Sequence, residues 1–516
     1  MLFHAAHLPS VSPTGGSVSQ AIRKFVEAED LLEVLDTFQA WKDACLELEK
    51  GLQKSPGVTQ KEPSLAAPVN PFEIYSLLRK HSFRATHHLT DFWKCIEARF
   101  ADPRHKCDDD SDASVEKSSA LAGRRALIVG GGPAGLRAAI ELALQKFESV
   151  VVLEKRDTFS RVNVMRIHAE DMDELVKEFG ARDFYRKICI QDRDVVAIRR
   201  LQLILTKMAL CLGVDVHAGS ELTSIRSELK SPYWTATTNN IYPEQISVTY
   251  NTLILATGEK STLSSDFAFS RVVFRAGNAT GITCNFYPSH TPIASSDAMQ
   301  GGRVSYLNAP FFNALKEKGL ELENIASYVT EESHYIVMTP KKATLLAKGV
   351  LKEDIADPVE LVHHDNVDRD QLIRFAREVA TEVGVPSDND FLPMRASKDG
   401  PTWPDVGIFD FTGKTMATEP SKTITETFQL NGQSYQKSLL VALVGDALVE
   451  PFWPTGTGWA RANGSCKLLG DVIRELGSNP LHWHQHAEEV LKFHEDQYVR
   501  LKSESYAPMT RVMGVA

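Results

Sequence analysis

Apolar positions along this chain change their spacing repeatedly, and each change marks a different kind of element. Over residues 18–50 they recur at three- and four-residue steps (Ile22, Phe25, Val26, Leu31, Val34, Leu35, Phe38, Trp41, Leu46, Leu48), the repeat of helices with one buried face. Residues 51–70, rich in Pro, Ser, Lys and Gln, break that repeat and predict a loop. A second helical stretch runs from Pro71 to about Phe100, and the polar, acidic segment Asp102–Ala122 predicts a linker. From Arg124 the pattern becomes short and continuously apolar. Ala126–Val129 and Val150–Leu153 bracket a helical repeat, as buried parallel strands bracket a crossover helix. Arg199–Leu212 predicts an amphipathic helix, Val214–His217 a strand and Thr252–Ala256 a buried strand. Strand-like runs (Gly281–Tyr287, Tyr335–Thr339) then alternate with helical ones (Pro310–Lys318, Asp368–Val383). Ser438–Val444 is again a buried strand, followed by a glycine-rich segment, a helix, and a tail of one or two polar helices.

The turn between the first two buried strands carries chemistry. It reads Gly130-x-Gly132-x-x-Gly135, and Glu154 ends the second strand 19 residues beyond Gly135. This is the strand–turn–helix–strand arrangement of a dinucleotide site. Gly130 permits the tight turn, Gly132 lets a pyrophosphate approach the backbone, and Gly135 allows close helix–strand packing. The helix N-terminus offers unpaired N–H groups to the phosphates. Glu154 stands where a ribose hydroxyl needs an acceptor. A second signal is Gly445-Asp446 at the end of the strand Ser438–Val444, directly before Pro451-Phe-Trp-Pro-Thr-Gly-Thr-Gly458. A carboxylate there suits the ribityl chain of a flavin, and the following helix start suits the electron-rich edge of the reduced ring. Two separated motifs, one for each half of the molecule, point to tightly bound FAD.

These elements predict an α/β fold: a single discontinuous Rossmann-type FAD-binding domain, an inserted mixed α+β substrate domain and an N-terminal helical annex. The expected units are 1–120 (helices and acidic linker), 121–275 (first segment of the FAD-binding domain), 276–404 (insert), 405–475 (second segment of the FAD-binding domain) and 476–516 (helical tail). With 516 residues, 43% hydrophobic and 24% charged, the chain has ample material for a globular core. No 18-residue apolar run occurs, so no membrane span is expected. The N-terminus lacks the basic and apolar regions of a signal peptide. Seven scattered cysteines form no CxxC pair, which fits a reducing, cytoplasmic setting. A net charge of −10 argues against nucleic acid and anionic membranes as partners. Among the histidines near 482–486, 363–364 and 87–88 only His482 and His486 have the i,i+4 spacing of a helical pair, and the acidic run at 107–112 lacks the glycine turn and terminal Glu of a calcium loop, so no metal site is expected.

The segments GGGPAGLRAAIELAL (130–144), EKRDTFSRVNV (154–164), GARDFY (180–185), IRRLQLILTKMALCLGV (198–214), LENIASYVTEESHYIVMTPKKATLLAKGV (322–350), HDNVDRDQLIRFARE (364–378), PDVGIFDFT (404–412) and LLVALVGDALVEPFWPTGTGWAR (439–461) resemble the flavoprotein monooxygenase domain of the MICAL family, the actin-oxidising enzymes. The resemblance implies that Glu154 binds the adenosine ribose and that Ala134 sits in the phosphate turn. It places Lys155, Arg156, Arg161 and Asn163 near the pyrophosphate and flavin, and Tyr335 and Asp446 at the flavin or ribityl chain. Thr455, Gly456 and Gly458 complete the cofactor set, and Trp453 stacks beside the isoalloxazine. Trp453, Tyr335 and His168 are the expected catalytic residues, the last two as candidate bases.

The implied activity is FAD-dependent oxygenation of a small organic substrate with O2 and NADPH. The rival readings are a protein methionine (actin) oxidase, an NADPH oxidase releasing H2O2, and a non-catalytic flavin-binding module. Three departures shape these expectations. The strand at 252–258 ends ATGEKST where the family carries a Gly-Asp-Gly-Arg-type motif, which bears on nicotinamide handling. The segment VMRIHAEDMDEL (164–175) replaces an aromatic-rich one, so that Arg166, His168 and Glu170 border a different pocket, or Asp171 and Glu174 simply face water. The acidic charge disfavours actin as a partner.

Overall fold

The computed structural model describes residues 15–53, 70–85, 87–102, 121–185, 195–241, 246–259, 263–275, 279–288, 299–300, 303–304, 309–395, 397–410, 413–451, 457–477 and 483–503. Its centre is a six-stranded sheet in the order Ser421–Leu430, Gln433–Leu443, Thr252–Leu255, Leu121–Val129, Phe147–Glu154, Asp215–Ala218. All neighbours are parallel except the first two strands, which form an antiparallel hairpin. The inner strands read as continuous apolar runs because both faces are covered. Ala126, Ile128, Val152, Ile254 and Ala442 pack under the helices Pro133–Leu144, Ile198–Cys211 and Gly458–Glu475. Leu127, Leu153, Leu253, Val441 and Leu443 pack instead against Trp234, Ala236 and Tyr250 of a three-stranded sheet and against Tyr498 of the helix Ala487–Ser503.

A second six-stranded sheet is antiparallel: Met299–Gln300, Arg303–Val304, Leu322–Val329, His334–Pro340, Thr280–Phe286, Val406–Asp410. Its last strand was expected in the resumed nucleotide fold, from 405 onward. It pairs instead with Thr280–Phe286, and the parallel sheet resumes only at Ser421. Ile282, Cys284, Phe286, Ile325, Ile336 and Met338 form this sheet's buried side, against Leu372, Phe375 and Val379 of the helix Arg369–Glu382. That helix starts at Asp368, whose side chain accepts from Gln371 N.

The N-terminal helices Gly15–Glu27, Leu31–Gln53, Pro71–Ala85 and Thr90–Ala101 carry an aromatic core of Phe25, Phe38, Trp41, Phe92 and Trp93. They dock on the helix Ile198–Cys211 through a fully buried lysine. Lys207 Nζ donates to Val26 O and Ala28 O, each at 2.7 Å, at the carbonyl end of the first helix, where the helix dipole favours a cation. Burial pulls its pKa down to about 8. No described helix is long and apolar enough to cross a membrane.

Candidate cofactor and active site

The phosphate turn follows from close contacts at its glycines. Gly130 has φ +110°, and a Cβ there would lie 2.4 Å from Ala256 O. At Gly135 a Cβ would lie 1.9 Å from Gly130 O. At Gly132, which caps the helix Pro133–Leu144, a Cβ would meet nothing within 4 Å, so the backbone there borders open space. Glu154 closes the turn from the neighbouring strand, its carboxylate accepting from Gly131 N at 2.8 Å and Arg156 N at 3.0 Å.

That open space is one end of a cavity of about 1340 Å³, above the ~300–1,000 Å³ of a drug-sized site. Its wall runs from Gly130, Gly132 and Ala134 past Glu154, Lys155 and Arg156 to Arg161 and Asn163. It reaches Asp446 and the helix start at Gly458. The second sheet closes it. Period-two alternation turns Asn324, Ala326 and Tyr328 to the cavity while Ile325 faces the core. On the adjacent strand Tyr335, Val337 and Thr339 do the same, directly opposite Tyr328, Ala326 and Asn324. The rings of Tyr328 and Tyr335 stack at 6.4 Å.

Charges concentrate at the Asp446 end. Burial pushes Asp446 up to about 6, opposed by Arg161 and Arg461 and reinforced by Glu259. Glu259 thus brings an acid close to Asp446 from the ATGE turn. Thr257 of the same turn lines the cavity, and its buried hydroxyl has no partner among the described residues. Burial, then Glu259, raises Glu450 to about 7, and burial lowers Lys414 to about 7. Tyr335 is raised well beyond its ordinary value by burial, so it keeps its proton at neutral pH.

Of the expected site residues, Gly130, Gly132, Ala134, Glu154, Lys155, Arg156, Arg161, Asn163, Tyr335, Asp446 and Gly458 line this one cavity. Gly135 lies just behind the turn it shapes. Trp453, Thr455 and Gly456 lie outside the described residues. His168 precedes the helix Ala169–Asp173 and is not in the cavity wall, and neither is Glu170; Arg166 is. Glu174 does not face water, and Asp171 is half-buried. Glu174 is buried, accepting from Arg137 at 3.1 Å, Asn463 at 2.6 Å and Lys467 at 2.7 Å, and Asp171 accepts from the same Asn463 at 2.8 Å. Their spacing resembled a solvated helix face; Arg137, which pairs with Glu174, lies on the phosphate helix, and Asn463, which reaches both, lies on the helix Gly458–Glu475. Apart from Tyr335, sequence reasoning also missed the Asn324–Thr339 wall, and it missed Gln202, whose Nε2 donates to Gly131 O at 3.2 Å. A polar residue amid the apolar stretch of an amphipathic helix was the available signal for Gln202.

The residues present fit FAD: a glycine turn and helix N-terminus for the pyrophosphate, a carboxylate for the ribose, an orphaned Thr257 hydroxyl, and a carboxylate beside a second helix start for the ribityl and ring end.

Two segments of the chain match family models. Residues 128–182 match a family model described as an NAD(P)-binding Rossmann-like domain, and residues 278–410 match the model of the Mical Rossmann domain. The chain is 40% identical over 367 residues to [F-actin]-monooxygenase MICAL2 of Rattus norvegicus, covering 69% of this chain and 18% of that protein. It is 38% identical over 385 residues to protein-methionine sulfoxide oxidase mical3a of Danio rerio, covering 72% and 18%. It therefore spans under a fifth of the length of these relatives. Among solved structures it is similar to OxyS anhydrotetracycline hydroxylase from Streptomyces rimosus, at 15% identity and TM-score 0.46, covering 76% of this chain and 69% of that one. Through the matched residues, and with the dinucleotide turn and flavin-end carboxylate on one cavity, the chain carries the Rossmann-type domain of the MICAL family.

Proposed function

We propose that this protein is an FAD-dependent monooxygenase that takes electrons from NADPH and inserts one atom of O2 into a small organic substrate. The observation that supports this most is the continuity of the cavity, from the phosphate turn to Asp446 and beneath the Tyr328–Tyr335 wall. Bound FAD supplies the hydride acceptance and oxygen activation; the protein binds, orients and shields. The N–H groups at the start of the helix Pro133–Leu144 hold the pyrophosphate. Glu154 accepts from the ribose, and Asp446 accepts from the ribityl hydroxyls. Lys155 and Arg156 extend the phosphate end. With FAD bound, Arg161 would supply positive charge at the ring end, and the helix N-terminus at Gly458 would supply N–H groups there. Tyr335 acts as a hydrogen-bond donor rather than as a base, because burial holds its proton. The apolar Ala326 and Val337 limit water beside the reacting face.

A protein thioether as oxygen acceptor is the second reading. It is favoured by the 38–40% identity to proteins named F-actin monooxygenases and a methionine sulfoxide oxidase. The net charge of −10 works against steering toward acidic actin.

The test is an oxygen-electrode assay of NADPH oxidation with peroxide trapping, run against aromatic and thioether small molecules and against F-actin. Turnover that a small molecule accelerates with falling peroxide yield supports the main reading. Acceleration by F-actin alone selects the second. Peroxide matching NADPH under every condition means an oxidase, and no NADPH oxidation overturns the proposal.

A further inference from the structure

The amide of Asn163 has its orientation dictated from behind the cavity wall. Asn285, fully buried on the strand Thr280–Phe286, donates from Nδ2 to Asn163 Oδ1 at 3.0 Å and to Asp405 Oδ2 at 2.8 Å. The backbones of all three are pinned. Ile198 N donates to Asn163 O at 2.9 Å, Asn285 N to Asp405 O at 3.0 Å, and Asp405 N to Leu392 O at 2.8 Å. An ionised carboxylate only accepts, so Asn285 must turn its NH2 toward Asp405. The same nitrogen then faces Asn163, which must answer with its oxygen. The Nδ2 of Asn163 is left as the group free to donate to the cavity. Among the described residues the buried Oδ1 of Asn285 has no partner, as expected of an amide held by its nitrogen alone.

We propose that Asp405 and Asn285 are positioning residues that set the polarity Asn163 presents to the cofactor: N–H donor while Asp405 is ionised, C=O acceptor once Asp405 has taken up a proton. This rests on reading the cavity as an FAD site. In the protonated relay the Asp405 O–H donates to Asn285 Oδ1, and Asn163 Nδ2 donates to that same oxygen. Both amides have then turned over, and one solvent proton is bound. The edge of an oxidised flavin is rich in acceptors, and two-electron reduction adds an N–H donor. The donor form of Asn163 therefore suits the oxidised ring and the acceptor form the reduced ring, so reduction draws a proton onto Asp405.

The groups facing Asp405 are compatible with this titration. Burial raises it to about 6; the Asn285 amide, Arg161 from the phosphate side and Arg369 from the helix Arg369–Glu382 act against that rise. The Tyr335 phenol and Cys284 thiol beside it both stay protonated, held up by burial.

The test is the midpoint potential of the bound flavin, measured on the holoprotein from about pH 5 to about 8, a window that brackets the Asp405 value of about 6. Wild type, Asp405→Asn and Asn285→Leu are compared, with the visible spectrum and FAD affinity recorded for each. Wild type is expected to take up one more proton per two electrons near the Asp405 titration than either variant, and the variants to stay yellow. Asn285→Leu is expected to weaken FAD binding by about five- to tenfold, through loss of the fixed donor. Persistence of the extra proton in Asp405→Asn, or its absence from wild type, overturns the proposal while leaving the FAD reading intact. Failure of wild type to take up FAD overturns both. Asp405→Asn matches the shape of the native side chain, so it keeps the test available if Asn285→Leu folds poorly.

Discussion

Replacing Arg137 by Met tests how the two cofactor-facing helices are held together. Arg137 is 1% exposed on the phosphate helix, and its guanidinium lies over the Phe179 ring at 5.1 Å. Nε donates to Asn463 of the helix Gly458–Glu475 at 3.0 Å, one terminal nitrogen to Glu141 at 2.9 Å and the other to Glu174 at 3.1 Å. Methionine fills much of the volume but leaves two buried carboxylates short of their charge partner. Breaking a buried pair from one side costs about 3–5 kcal/mol. Lys467 still reaches Glu174 at 2.7 Å, so the lower end applies, about 3 kcal/mol against a total stability of about 5–15 kcal/mol. The assay is urea denaturation of wild type, Arg137→Met, Glu141→Gln and the double variant. The double variant should recover at least about 1 kcal/mol of the loss, because the stranded charge is gone. Wild type should also lose stability as acid titrates Glu174. Burial raises the pKa of Glu174, but Arg137, Lys467 and Asn463 overcome that and hold it below the ordinary range, so its contribution is whole above that range and fades as pH falls. A single variant within about 0.5 kcal/mol of wild type, or no recovery in the double, refutes the reasoning.

Gly135→Ala places a Cβ 1.9 Å from Gly130 O, a backbone atom of the phosphate turn. A loss of about 1–3 kcal/mol in denaturation and reduced FAD retention on gel filtration are expected. Glu154→Gln weakens the acceptor for Gly131 N and Arg156 N and should raise the FAD dissociation constant about 10- to 150-fold, measured by flavin fluorescence quenching. Glu450 is raised to about 7 by burial and by Glu259 and Asp446, so the fold binds more protons than the unfolded chain below that pH. Stability of the cofactor-free protein should therefore decline as pH rises from about 4.5 to about 7, and Glu450→Gln should flatten that slope in thermal melts. Lys207→Met removes the donor to Val26 O and Ala28 O and should cost about 1–3 kcal/mol, with earlier proteolysis of the N-terminal helices.

Local chemistry was the legible portion of this chain. The turn from Gly130 to Gly135 and its acid at Glu154 lie within one strand–helix–strand unit, so spacing alone places them, and the structure sets them around one volume. Long-range pairing was not legible. Val406–Asp410 is a short apolar strand that would suit either sheet, and only its partner at Thr280–Phe286 decides between them. The three-stranded sheet at 220–250 has a signal, Trp234 and Ala236 alternating with Thr235 and Thr237, but its edge strand Ser220–Ser227 is polar and half exposed. Asp171 and Glu174 have the spacing of a wet helix face, and nothing near them in sequence announces Arg137 and Asn463 as their partners. His168 was expected at the pocket because segment 164–175 takes the place of one that borders the active site in the family it resembles; it stands at the N-cap of the helix Ala169–Asp173, and of that segment's expected residues only Arg166 lines the cavity.

The central claim is that this cavity holds a flavin that a nicotinamide can reduce, despite the Thr257-Gly258-Glu259 turn. The most direct measurement is the visible spectrum of the purified protein before and after anaerobic addition of NADPH. The account predicts a yellow protein that NADPH bleaches and air restores. A colourless protein that takes up no added FAD, or a yellow one that NADPH leaves unchanged, would contradict it.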